Sequence, residues 1–396
     1  MINLHSLNNS LNSIDWDFSN LSNEGLNSLH WYPATFISAI PGSLIPLLSK
    51  KEDVVLDTFC GTSVTGYEAI RLGRKYIGID NNPIAILISR GKLTFPEKNA
   101  LLNTFQSLFN NPYNNRILKD EHPNEMILKK WYHPDTYYEL NNILSLISKI
   151  ENPIIRIPSL SVFSSILKKT SSQTKHWGWV CDNVIPKAEE IIYKNAIDIF
   201  NKSLIAYCDA VEDTLKDIGH RNVDNRRKEL RSRSNLTCAD TNETLKRLDS
   251  DSIDLIVTSP PYYGVADYVK AQRLSFLWFD KSVTEVEGYS FDDFEGLRKK
   301  ETGARSKRYN QRSYIDFINY MKTYIDLCQD KLKSGKYLVL IIGDSSSRNR
   351  TVDFIDEYAS SNGFKKEYEF IRQIRESKRR LMAKVLNEQI KVYVKK

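Results

Sequence analysis

Apolar residues along the chain fall in short runs, each closed by an acid or a turn. Val54-Val55-Leu56 ends at Asp57, and Tyr76-Ile77-Gly78-Ile79 ends at Asp80. Helical patterns follow each run, over about 64–72 and 83–91. A strand–helix–strand–helix order predicts a parallel sheet with helices on its faces. Ahead of it, Phe36, Ile37, Ile40, Leu44, Leu47 and Leu48 repeat at helical spacing, interrupted by Pro41-Gly42.

The strand pattern then stops. Residues 96–235 carry helical periodicity instead, as at Leu140, Ile143, Leu144 and Ile147, together with His176-Trp177-Gly178-Trp179, which reads as core. The α/β pattern resumes with Leu236-Thr237-Cys238-Ala239 before Asp240, and Asp254-Leu255-Ile256-Val257-Thr258 before Ser259. A helix-like stretch covers about 268–279, a loop with a basic end 281–312, and a helix 314–332. Tyr337 to Gly343 reads as a strand ending at Asp344, followed by a helix near 352–361 and strands near 366–374 and 389–395. There is no internal repeat. The organisation expected is an N-terminal lead-in (1–29), one sheet domain (30–95 and 236–396), and an inserted, mainly helical domain (96–235).

Composition narrows the class. Hydrophobic residues make up 41% of 396, enough for a packed core and against a disordered chain. A net charge of +7 permits a polyanionic partner without demanding one. Cys60, Cys181, Cys208, Cys238 and Cys328 form no paired spacing, so neither a disulfide framework nor a metal site is expected, and a reducing compartment is the default. The first residues lack a secretory pattern, and no apolar run approaches the ~20 residues of a membrane span. A soluble cytoplasmic protein is expected.

Two turns carry candidate chemistry. The first, Asp57-Thr58-Phe59-Cys60-Gly61-Thr62-Ser63, joins a strand to a helix, where glycine lets backbone approach a ligand and the helix start offers free N–H groups. Asp80, closing the next strand, can accept both hydroxyls of a ribose. The turn lacks GxGxxG spacing and carries Phe59, which suits a nucleoside without a pyrophosphate. The second, Ser259-Pro260-Pro261-Tyr262, follows a buried strand. Its prolines remove two N–H donors and stiffen the chain, leaving carbonyls and a hydroxyl as acceptors and Tyr262 as a flat face. Such a set suits an exocyclic amine on a planar base.

Together these blocks resemble the amino-methylating, S-adenosylmethionine-dependent DNA methyltransferases, whose fingerprints are an FxGxG-like turn and a [D/N/S]PP[Y/F/W] turn. His30-Trp31-Tyr32-Pro33-Ala34-Thr35-Phe36 looks like the H-x-Y-P-A-x-F element of one branch. Gly78 to Pro83, Asp267-Tyr268 and Glu388 to Lys395 are further echoes. Ser63 stands where the second glycine is usual, and the insertion precedes the strand leading to Asp240. The resemblance implies an α/β, Rossmann-like sheet and S-adenosylmethionine as cofactor. Pro33, Ala34 and Thr35 would lie near its methionine end. Asp57, Phe59, Cys60, Gly61, Thr62 and Ser63 would hold the amino acid moiety. Asp80 and Asn81 would take the ribose, and Asp240 the adenine amine. Ser259, Pro260, Pro261 and Tyr262 would be catalytic.

A serine heading the second block is the family's usual mark of cytosine-N4 methylation; adenine-N6 methylation is the alternative. No Pro-Cys dipeptide offers the thiolate that cytosine-C5 methylation needs. An RNA methyltransferase and a catalytically silent DNA-binding subunit are further alternatives. Double-stranded DNA is the expected partner, with a cognate restriction endonuclease as the usual context, and no membrane or metal. Phosphate contacts are expected from the basic stretches 221–233, 298–312 and 372–384, with Arg226, Arg227, Arg231, Arg305, Lys307 and Arg308 as candidates.

Overall fold

In the computed structural model, residues 4–110, 122–173, 185–219, 223–279, 283, 290–291, 293–345, 348, 350–373 and 385–396 are described. The His176–Trp179 segment and residues 374–384 lie outside them. Seven strands form one sheet: β1 (Val54–Asp57), β2 (Lys75–Asp80), β3 (Ser234–Cys238), β4 (Ile253–Thr258), β5 (Leu332–Ser345), β6 (Phe364–Arg372) and β7 (Val385–Lys395). Their order is β3-β2-β1-β4-β5-β7-β6. The first five run parallel, while β7 is antiparallel to both β5 and β6. This is the doubly wound, Rossmann-like α/β sheet that the resemblance implies. Strand order reverses at β1, between β2 and β4, which opens a crevice at the carboxyl ends of β1 and β4.

Both faces of the sheet are covered, so the central strands read as unbroken apolar runs. Leu255, Val257, Val339 and Ile341 face one core, with helices Ala39–Leu48, Val64–Arg71 and Pro83–Lys92. Ile256, Leu338, Leu340 and Ile342 face the other, with helices Gln311–Lys331 and Thr351–Ser361. The helices of the segment between β2 and β3, among them Pro134–Ser148, Pro153–Thr170 and Ala196–Ile218, extend the first core outward. Gly91 faces Ser161 across the Pro83–Lys92 and Pro153–Thr170 helices, and a side chain at Gly91 would meet the Ser161 Cβ at 2.5 Å.

Three local readings change. Ala39–Leu48 runs through Pro41 without a break, because a proline in a first helical turn gives up only an N–H that has no intrahelical acceptor. The 281–312 loop contains the helix Phe294–Lys300, whose start is capped by Asp293 accepting from Gly296 N at 3.0 Å. The strand read from Tyr337 begins at Leu332.

Candidate active site

A cavity of about 870 Å³, open to solvent on one side, fills the crevice. Its wall is built from Tyr32 to Phe36, the turn after β1 with the end of β2, the turn after β4 with Tyr268, Val269, Glu301 and Thr302, and Thr241 and Tyr320. Pro33, Ala34, Thr35, Phe59, Cys60, Gly61, Thr62, Asp80, Asn81, Ser259 and Pro261 all line it.

The turn after β1 is clipped to β2. Cys60 N donates to the Ile79 carbonyl at 2.9 Å, Gly61 N to Asp80 Oδ2 at 2.9 Å, and Ser89 Oγ to the Gly61 carbonyl at 2.9 Å. Gly61 holds φ +49°, a conformation that glycine adopts without steric cost. Ser63 holds φ +51° at the start of the Val64–Arg71 helix, and its hydroxyl lies 3.1 Å from the Tyr76 hydroxyl. Asp80 Oδ1 accepts from Asn82 N at 2.9 Å, the Asn81 backbone adds a third donor, and of the carboxylate's roughly four acceptor sites one stays open. Burial raises the Asp80 carboxyl to about 6 despite those donors.

Asp57 lies beneath this turn rather than on the cavity wall. It is fully buried and accepts from Thr258 Oγ1 at 2.7 Å and Phe59 N at 3.3 Å, joining the ends of β1 and β4. Burial raises its carboxyl to about 6 as well. Asp240 caps the helix Thr241–Leu245 by accepting from Glu243 N at 3.1 Å, and its other oxygen accepts from Tyr320 Oη at 3.3 Å. Thr241 and Tyr320, not Asp240, reach the cavity. Cys60 is buried, and burial pushes its thiol well above the ordinary range, so it is a packing residue of the wall.

At the second turn, Ser259 and Pro261 face the cavity, while Pro260 is buried behind them. Tyr262 does not supply the flat face the sequence suggests. Its ring is buried among Val265, Leu340 and Ile342 in the second core. Tyr268 lines the cavity instead, stacked at 6.4 Å against Tyr32. Glu301, which no sequence signal marked, lines the same wall. Its carboxylate accepts from Tyr268 N at 2.5 Å, and burial pushes its pKa to about 8.

The basic candidates divide. Arg227 is buried, bonded to the Phe95 and Pro96 carbonyls and paired with Glu212 at 2.5 Å. Arg231 donates to the Thr94 and Phe95 carbonyls, and Arg226 pairs with Glu229 at 2.7 Å. These guanidiniums bind the chain to itself, and the buried Arg227 is out of reach of a phosphate. Arg305, Lys307 and Arg308 follow the wall residues Glu301 and Thr302 on a segment pinned to the stretch just after the second turn. Arg305 N donates to the Ala266 carbonyl at 3.0 Å, Ser306 N to Asp267 Oδ1 at 3.0 Å, and Tyr263 Oη to the Lys307 carbonyl at 2.8 Å.

A Rossmann-like sheet here brings a glycine turn, a strand-end acid and an acceptor-rich Ser-Pro-Pro turn into one crevice, the place where open α/β sheets bind their ligands. Residues 6–90 and 253–396 match the family described as DNA methylase, the N6/N4 methyltransferases, and the chain belongs to it. It is also similar to the Type II methyltransferase M.MvaI of Kocuria varians, 21% identical over 272 residues, covering 65% of this chain and 58% of that protein. The chain thus spans less than two thirds of that relative's length.

Proposed function

We propose that the protein transfers a methyl group from S-adenosylmethionine to the exocyclic N4 of a cytosine flipped out of double-stranded DNA, as the methylating half of a restriction–modification system. One observation carries the reading: the turn after β1, Asp80 and the Ser-Pro-Pro turn open onto one shared cavity. The donor set fits the cofactor. Asp80 keeps acceptor capacity for ribose hydroxyls, Gly61 allows close backbone approach, and the Asp80 carboxylate on the wall favours a ligand of net positive charge. Among the described residues, no cluster of three or more ligating side chains could hold a metal ion, and no helix is long and apolar enough to cross a membrane.

When bound, S-adenosylmethionine would supply an electrophilic methyl group on a sulfonium leaving group, and the base amine that takes the methyl would release one proton to solvent. The chain's work is orientation. Ser259 Oγ and the Pro260 carbonyl would accept hydrogen bonds from the two amine N–H groups, which turns the nitrogen lone pair toward the methyl group. Tyr268 offers the stacking face, and the Pro260-Pro261 pair keeps the acceptors rigid. Serine at the head of the turn favours cytosine-N4. Arg305, Lys307 and Arg308 would take phosphates, and the helical segment 96–235 would be a target-recognition domain.

Incubating the chain with methyl-labelled S-adenosylmethionine and unmethylated bacterial DNA, then digesting to nucleosides for mass spectrometry, tests this. N4-methyldeoxycytidine is expected from wild type, and a loss of at least a hundredfold from Ser259→Ala. N6-methyldeoxyadenosine would overturn the base assignment while keeping the mechanism. No methylated nucleoside would overturn the reading.

A further inference from the structure

Tyr262 turns its ring into the core, but its hydroxyl reaches back toward the site. The phenolic oxygen lies 2.9 Å from Glu388 Oε1, 3.3 Å from the Ile341 carbonyl and 3.4 Å from Ser259 Oγ. A phenol has one proton to give. Its nearest acceptor is the carboxylate, and a charged acceptor makes the stronger bond. The Tyr262 proton therefore points to Glu388, which leaves the phenolic oxygen as an acceptor. The Ser259 hydroxyl is the donor within reach.

Glu388 is well placed to impose this direction. It is buried on β7, opposite Gly343 of β5 and Arg372 of β6, and its second oxygen is ion-paired with the Arg372 guanidinium. Arg372 is itself anchored by donating to the Trp16 carbonyl at 3.1 Å. The series runs from Ser259 through Tyr262 to Glu388 and Arg372, from the cavity wall to the far edge of the sheet.

We infer that Glu388, held by Arg372 and acting through the Tyr262 hydroxyl, is a positioning residue that turns the Ser259 proton away from the cavity and leaves the Ser259 oxygen to accept from the target amine. A freely rotating serine is as good a donor as an acceptor. As a donor it would occupy the nitrogen lone pair that must attack the methyl group. Fixing its direction before the base arrives removes that competition without reorganisation during reaction. The inference rests on the proposed function and adds a residue that the Ser-Pro-Pro-Tyr motif does not contain.

The test compares kcat, KM and cofactor affinity for wild type, Tyr262→Phe, Glu388→Gln, Ser259→Ala and the Tyr262→Phe/Ser259→Ala double variant of the full chain. Tyr262→Phe keeps the ring in the core and removes only the hydroxyl. It should lower kcat about tenfold, the scale of one hydrogen bond, with cofactor Kd unchanged. Glu388→Gln should lower kcat in the same direction while keeping the fold by circular dichroism. The double variant should be no slower than Ser259→Ala alone, because the hydroxyl acts only through Ser259. A Tyr262→Phe enzyme as fast as wild type overturns the inference, as does a double variant in which the two losses multiply. So does a Tyr262→Phe loss that comes with weakened cofactor binding and a lower melting temperature. A wild-type chain that methylates no base overturns the functional reading and this inference together.

Discussion

At Asp80 both carboxyl oxygens already accept backbone N–H groups, from Gly61 on one side and Asn82 on the other. Burial still outweighs them and raises its pKa from 3.8 to about 6. In the free protein the folded state therefore holds a proton that the unfolded chain has lost between about pH 4 and 6. Asp80's contribution to stability falls as pH rises through that window and is flat above it. Cofactor binding runs the other way. A cationic ligand whose hydroxyls donate to Asp80 favours the carboxylate, so affinity is full above about pH 6 and declines as pH falls below it. Calorimetric titration with S-adenosylmethionine should show Kd weakening roughly tenfold from pH 7 to pH 5. In Asp80→Asn that dependence should flatten, with weaker binding at pH 7. Unaltered affinity in Asp80→Asn would remove Asp80 from the site. Burial raises Asp57 to the same range but it lies under the turn, so the substitution isolates the carboxyl that lines the cavity.

The turn after β1 works as an element because one ring supports it. Tyr76 on β2 bonds through its hydroxyl to Ser63 and packs its face against Gly66 of the following helix. That contact accounts for serine at a left-handed position usually given to glycine. The backbone conformation costs about 1 kcal/mol, and the buried hydrogen bond offsets a similar amount. A methyl at Gly66 would fall 2.3 Å from the Tyr76 ring, so Gly66→Ala must push helix and strand apart. Chemical denaturation should show a loss of about 1–3 kcal/mol, with cofactor binding weakened as the turn shifts. Unchanged stability would mean that the ring swings away freely. The sequence marked Gly61 and Ser63 by type and spacing, but the ring that holds the turn to Gly66 belongs to the next strand.

Across the whole molecule, two arginine-rich segments that look alike in sequence differ at their key residues, Arg227 being buried and Arg308 half-buried. Arg227 binds helix Val223–Ser232 to the Phe95-Pro96 backbone and to Glu212. Arg227→Ala should lower stability by roughly 2–4 kcal/mol, because it strands Glu212 and two carbonyls, and leave DNA affinity per folded molecule unchanged. Arg308→Ala should do the reverse. Its melting temperature should hold, while the slope of log affinity against log salt drops by about one. Equal salt slopes for Arg308→Ala and wild type would take that segment out of the DNA contact. What the sequence determined by itself was local: strands ended by acids, the glycine and proline turns, and the order of blocks that reveals the family. Those features depend on chain neighbours and on the two-residue and 3.6-residue periods of side-chain direction. Only the tertiary structure decided that Tyr268 rather than Tyr262 faces the cavity, that Glu301 joins its wall, that Arg226, Arg227 and Arg231 turn inward, and that Glu388 meets Tyr262. Each of these depends on which distant element covers a side chain, and for Glu388 that element is set by the register of β7 between β5 and β6, which no local pattern encodes.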